Sequence, residues 1–147
     1  MLLPFYEVLK DKKKHNAILL SHAILPALSN TPASLSPEII ALLKKDFNYQ
    51  GLIITDDIFM KALEKYTIDE YDAIFQAIEA GAHIILSSKK TFVSFLPLLE
   101  KRYLSEPDFK KQVDIALFKI IQAKLETNLL HYRFTNIWGK TIVIEQK

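Results

Sequence analysis

The chain has 147 residues, a half-apolar composition and a formal charge of only +2, which fits one ordinary globular domain and excludes a disordered chain. So small a charge, with the lysines in short groups between apolar segments, argues against nucleic acid or an anionic membrane surface as partner. The absence of cysteine rules out disulfides and thiolate metal sites and fits a reducing compartment, with cytoplasm the default.

The opening "MLLPFYEVLKDKKKH" has no basic leader before its apolar residues and no apolar run of signal-peptide length. Nowhere does an uninterrupted apolar run approach the roughly 20 residues of a spanning helix, so neither secretion nor membrane insertion is expected. "KDKKK" (10–14) reads as a solvated helix end. A first strand is expected at "AILLS" (17–21). Ser36-Pro37-Glu38 then opens a helix, with serine placed to cap, proline at the first helical position and glutamate in the first turn. A second strand is expected at "GLIIT" (51–55). The next helix covers about Thr67 to Ala80, with Ile68, Tyr71, Ile74, Phe75 and Ile78 on one side and Gly81 as its stop. The third strand is "HIILS" (83–87). None of the three alternates apolar with polar, so all are expected to be buried on both faces, as parallel strands under helices are.

Beyond them "TFVSFLPLLEKRY" reads as a helix with Pro97 as a kink position. A long helix follows from about Pro107 to Leu130, capped by Ser105 with Asp108 three residues on, and striped by Val113, Leu117, Ile120, Ile121 and Leu125. Near the end, Thr141 to Ile144 is a β-branched run that fits an edge strand or a tail. Strand starts at residues 17, 51 and 83 are spaced as βα units are, and helical crossovers pair such strands in parallel. The fold class is therefore α/β, either a small open sheet or part of a larger barrel. A full (β/α)8 barrel needs about 250 residues, which this chain does not have.

In either architecture functional groups gather at the carboxyl ends of the strands. Those ends carry Ser21 and His22, then Thr55, Asp56 and Asp57, then Ser87, Ser88 and Lys89. By position alone, helix capping and solvent exposure account for the two aspartates as well as chemistry does. Neighbouring strand residues point to opposite faces, so Asp56 and Asp57 do not form a dyad; one faces the pocket and the other holds the loop or helix start. His22 alone is more often a hydrogen-bonded structural histidine than a catalytic one. His15, His83 and His131 show no metal-site spacing and read as structural or exposed. The three glycines form neither a GxGxxG nor a P-loop, and no nucleophile elbow or HExxH helix is present.

The stretch "PASLSPEIIALLKKDFNYQGLIITDDIFMKAL" (32–63) resembles the nucleophile segment of glycoside hydrolase family 3, especially its bacterial β-N-acetylhexosaminidase branch. That segment runs from Pro-Ala-Ser/Thr through a helix, a glycine turn and an apolar strand to Ser/Thr-Asp-Asp-x-x-Met. "LLPFYEVL" and "AILLSHAILPAL" are similar to the helix and strand just before it, and "AIEAGAHIIL" to the passage after it. The ordered likeness covers about the first 90 residues. It implies a partial (β/α)8 TIM barrel: the last three βα units plus C-terminal helices over 1–130, with 131–147 as a C-terminal tail.

By the same resemblance Asp56 aligns with the family's nucleophile, Asp57 with its supporting neighbour and His22 with a histidine bordering the pocket. The implied chemistry is retaining hydrolysis of terminal β-linked N-acetylglucosamine from cell-wall-type glycans, with no cofactor and no metal. Asn48-Tyr49-Gln50-Gly51 departs from the usual Gly-Phe-x-Gly turn, and His83 stands where aspartate is common. The family's Lys-His-Phe-Pro-Gly-His-Gly segment and Asp-x-His loop are expected upstream of Met1, so this chain alone is expected to be weak or inactive. Its expected partners are a carbohydrate substrate and, through open sheet edges, either a second copy or the missing barrel half. The alternative is a non-catalytic remnant or interaction module; a small open α/β binding domain is the third reading.

Overall fold

The computed structural model describes residues 3–9, 17–67, 69–89, 92–127, 129–134 and 142–146. His15, Ile68 and the basic run at 10–14 lie outside them. The elements are α1 (Leu3–Leu9), β1 (Ala17–Leu20), α2 (Pro37–Lys45), β2 (Leu52–Thr55), α3 (Glu70–Ala80), α4 (Phe92–Ser105), α5 (Pro107–Glu126), β3 (Leu130–Phe134) and β4 (Ile142–Gln146), with short 3-10 turns at Ala33–Leu35 and Lys61–Leu63. Among the described residues, no helix is long and apolar enough to cross a membrane.

α2 starts where its sequence directs. The Ser36 hydroxyl accepts from the Ile39 N–H at 3.3 Å, Pro37 occupies the first turn, and Lys44 and Lys45 stand in the last turn where the helix dipole favours cations. α3 begins at Glu70, later than Thr67, because the Asp69 carboxylate caps it by accepting from the Asp72 N–H at 2.8 Å. It ends at Gly81, whose φ of 101° is left-handed and open to glycine at little cost.

β1 and β2 pair in parallel, with Ala17 opposite Leu52 and Leu20 opposite Thr55. Two expectations about the strands need correction. The segment 83–87 makes only one bridge, Ile54 to Ile84, not a full strand. Its ladder is diverted: both His83 and Ile84 donate to the Ile53 carbonyl, and the Leu86 N–H goes to the Thr55 hydroxyl at 3.1 Å. β1 is also not buried on both faces. Ile18 and Leu20 pack toward the helices, while Ala17 and Leu19, on the opposite face, are exposed, Leu19 by 55%. Among the described residues no layer covers that face. β2 is buried on the helix side, with Ile53 and Thr55 both at 0% exposure, while Leu52 and Ile54 on its other face are half-buried.

The core lies on the helix side in two parts. One joins Ile40, Tyr49, Ile53 and Ala80 beneath the sheet; the other gathers Ile58, Ile74, Ala77, Phe95 and Phe109 between α3, α4 and α5. Each large apolar side chain so buried contributes roughly 1.5–3 kcal/mol. Arg102 pins the second part: its guanidinium lies 4.4 Å from the Phe75 ring and 4.5 Å from the Phe109 ring, and it pairs with Glu79 and Glu106.

Two details of α5 also differ from expectation. Glu106, not Ser105, is its N-cap residue and makes no side-chain cap bond; Ser105 ends α4 and donates its hydroxyl to the Lys101 carbonyl. Leu117 is 55% exposed, because α5 buries itself mainly through Phe109. The helix stops at Glu126, and the chain closes with β3 and β4 as an antiparallel hairpin. The β-branched run thus pairs within the chain's own end.

Candidate active site

The carboxyl ends of β1, β2 and the 83–87 segment meet in a tied rim. The Asp56 N–H donates to the Leu20 carbonyl at 2.9 Å, carrying the parallel register one residue beyond β2. Alternation along the strand puts the Asp56 side chain opposite Ile53 and Thr55, on the uncovered face that Leu19 shares. Its Oδ1 accepts from the Asp57 N–H at 2.8 Å. Its other oxygen accepts no hydrogen bond from the described residues. Asp56 is half-buried, so the carboxylate is fixed at one oxygen and open at the other.

Asp57 is spent on holding the loop. Its Oδ1 accepts from the Phe59 N–H at 3.2 Å and the Ser88 N–H at 3.1 Å. The Ser88 hydroxyl, more than any other neighbour, holds this carboxyl below the ordinary aspartate range; burial opposes it, and the Phe59 and Ser88 amides add to the lowering. One side chain thereby links the end of β2 to the end of the 83–87 segment.

His22 is buried and doubly bonded. Its Nε2 lies 2.8 Å from the Asp57 carbonyl and its Nδ1 2.6 Å from the Ser34 hydroxyl. A carbonyl oxygen only accepts, so Nε2 carries the proton and, in the neutral ring, Nδ1 accepts from Ser34. With both nitrogens committed, His22 positions the aspartate loop and has no lone pair or proton left for a substrate.

Ser34 is the partner that sequence reasoning passed over. It is fully buried, and its N–H donates to the Ser21 carbonyl at 3.2 Å while the Ala33 N–H donates to the Ala23 carbonyl at 2.9 Å. The signal lay in "PAS" (32–34): a serine among small residues ahead of a capped helix. Of the other rim residues, Thr55 ties β2 to Leu86, Ser87 donates to the Lys89 carbonyl, and the Lys89 ammonium sits 4.4 Å above the Phe59 ring. Among the described residues no group of three or more histidine, aspartate and glutamate side chains is placed to hold a metal.

A concavity lies apart from these carboxylates. It is an apolar cleft of about 390 Å³ between α1, β1 and α2, lined by Leu9, Ile18, Leu20, Leu28, Ile39 and Leu43 among others. With no charged group in its wall it offers nothing to a reacting bond.

Residues 1–121 match the family described as "Glycosyl hydrolase family 3 N terminal domain", whose fold is of the α/β TIM-barrel type. The chain is similar to the family 3 β-N-acetylglucosaminidase of Paenibacillus sp. (TM-score 0.75, 26% identity, 97% of this chain and 28% of that one). It is also similar to a family 3 glycosyl hydrolase of Mycobacterium smegmatis (0.70, 26%, 83% and 38%). A β-N-acetylhexosaminidase of Beutenbergia cavernae shares the fold (0.73, 23% identity, 84% and 37%). The chain therefore spans between 28% and 38% of these three solved proteins. No curated protein sequence matches it.

Proposed function

The chain belongs to glycosyl hydrolase family 3, and from that premise we propose that it forms the nucleophile-bearing part of a retaining β-N-acetylhexosaminidase barrel. The observation that carries this reading is the Asp56 carboxylate: at a strand end, on an uncovered sheet face, held at Oδ1 and open at its second oxygen. In a retaining glycosidase that oxygen attacks the anomeric carbon as the bond to the leaving oxygen breaks, giving a glycosyl-aspartate ester. Water then attacks the same carbon and frees the carboxylate, so two inversions leave the configuration retained.

The other rim residues act on Asp56 through the backbone. Asp57 and His22 hold the peptide that donates to Asp56 Oδ1, and the Ser34 hydroxyl orients His22. Neither candidate acid at the rim suits the leaving group: the two nitrogens of His22 are occupied, and Asp57 is kept ionised. The proton must come from another part of the barrel. Without it the rate falls by on the order of 10²–10⁴, so unaided turnover of natural glycosides by this chain is expected to be slow.

The uncovered face of β1 supports a partial barrel over residues 1–130, with the hairpin as a tail. Leu19 projects where a closed barrel would place interior side chains. The same uncovered face favours the second reading, a self-associating module without catalysis. Terminal N-acetylglucosamine on cell-wall-type glycans is the proposed substrate; for the sugar, the name of the similar Paenibacillus β-N-acetylglucosaminidase supports it.

The two readings part on an aryl N-acetylglucosaminide whose leaving group is acidic enough to need no proton. Catalysis predicts aryl release by this chain that disappears in Asp56→Asn and survives in Asp114→Asn. Equal release by wild type and Asp56→Asn would leave the module reading.

A further inference from the structure

At the opposite end of the sheet, remote in role from Asp56, His83, Lys44 and Lys119 each bond to the backbone of the 50–53 or 81–83 segment. His83 is 7% exposed, and its Nδ1 accepts the Ile53 N–H at 3.0 Å. That bond fixes the proton of the neutral ring on Nε2. Nε2 is buried and has no hydrogen-bond partner among the described residues.

The charges that act on His83 are those of Lys44 and Lys119. Lys44, from the last turn of α2, donates to the Gly81 carbonyl at 3.3 Å. Lys119, from α5, donates to the Gln50 carbonyl at 2.9 Å. Neither ammonium meets a carboxylate among the described residues. Each of the two lysines thus holds one neutral carbonyl, and burial and the Lys119 charge together depress the Lys44 pKa.

The Lys44 ammonium packs directly on the backbone two residues before His83: a Cβ at residue 81 would stand 2.9 Å from it, and Gly81 has none. Two positive charges and a buried N–H with no acceptor are an unbalanced set, and a compact oxyanion balances it with charge-assisted hydrogen bonds.

We propose that Lys44, Lys119 and His83 form a binding site for a small oxyanion of the phosphate class at the amino end of the sheet. The anion bridges the two ammonium groups and accepts from His83 Nε2–H once the Lys44 amine leaves the Gly81 carbonyl. It lies on the side away from the glycosidase rim, so it ties α2, α3 and α5 to the sheet and takes no part in sugar chemistry.

The test is isothermal titration of the full chain with sodium phosphate, beside thermal unfolding in phosphate and in sodium chloride of equal ionic strength. The proposal predicts saturable binding, and a melting temperature that rises with phosphate beyond its value in chloride. Lys119→Gln weakens the binding by at least about tenfold, the loss of one charge-assisted hydrogen bond. Lys44→Gln does the same, and Lys110→Gln, elsewhere on α5, leaves it unchanged. If either lysine variant fails to fold, the other decides. Absence of saturable binding by the folded wild type, or equal affinity in Lys119→Gln and wild type, overturns the site.

Discussion

His83 makes the folded chain sensitive to acid in a way that can be worked from its surroundings. Burial, then the Lys44 charge and then the Lys119 charge, bring its pKa from 6.5 down to about 4. The folded state therefore holds the ring neutral while the unfolded chain takes up a proton below 6.5. The stability is fully present above that pH, is lost as pH falls from 6.5 through 4, and levels off below. At about 1.4 kcal/mol per pH unit the whole effect is about 3 kcal/mol, of which about 2.5 is gone by pH 4.5. The perturbation is His83→Asn, which keeps an acceptor for the Ile53 N–H and removes the titration. Urea unfolding at pH 7, 6, 5 and 4.5 in phosphate-free buffer measures both proteins, and their difference cancels the carboxylates that titrate in each. We expect the wild type to lose about 2.5 kcal/mol more than His83→Asn over that range. Parallel curves would refute the argument from burial and lysine charge.

Three further outcomes follow from the packing. Ser36→Ala removes the cap on the Ile39 N–H and should cost about 1 kcal/mol, read as a melting temperature lower by about 3 °C. Arg102→Ala strips the cation from the Phe75 and Phe109 rings and the partner from Glu79 and Glu106. It should cost about 1–2 kcal/mol in urea unfolding, and Arg102→Lys should recover less than half because the planar fork is lost. Leu19→Lys places a charge on the uncovered face of β1; sedimentation should show an associating wild type and a more monomeric variant.

How much of this was legible in the amino-acid sequence depended on how local the cause was. Ser36-Pro37 announced the start of α2 because a cap is a contact between residues three apart. Gly81 announced the end of α3 because its φ is a property of one residue. Asp56 and Asp57 followed an apolar run, and their separate settings follow from the alternation of a strand. The misplaced features depend on partners distant in the chain. Leu19 looks like any buried strand residue, and only the lack of a covering layer exposes it. "HIILS" has a strand's composition, yet the Thr55 hydroxyl takes the Leu86 amide and shortens the ladder. Ser105 had the better capping chemistry, but α4 runs through it and leaves Glu106 at the junction. The lysines around His83 arrive from α2 and α5, and no spacing in the sequence brings them together. Ser34 reaches His22 across 12 residues of loop, so the family motif carried it without its reason.

The proposed role of Asp56 as nucleophile is tested most directly by the mass of the folded chain after incubation with a fluorinated N-acetylglucosaminyl fluoride. Fluoride leaves without a proton, and the ring fluorine slows the ester's hydrolysis, so the step needs the nucleophile and no acid. A single glycosyl adduct is expected on the peptide that holds Asp56, absent from Asp56→Asn. A folded chain that takes up no label, or one labelled on Asp57 or another carboxylate, would contradict it.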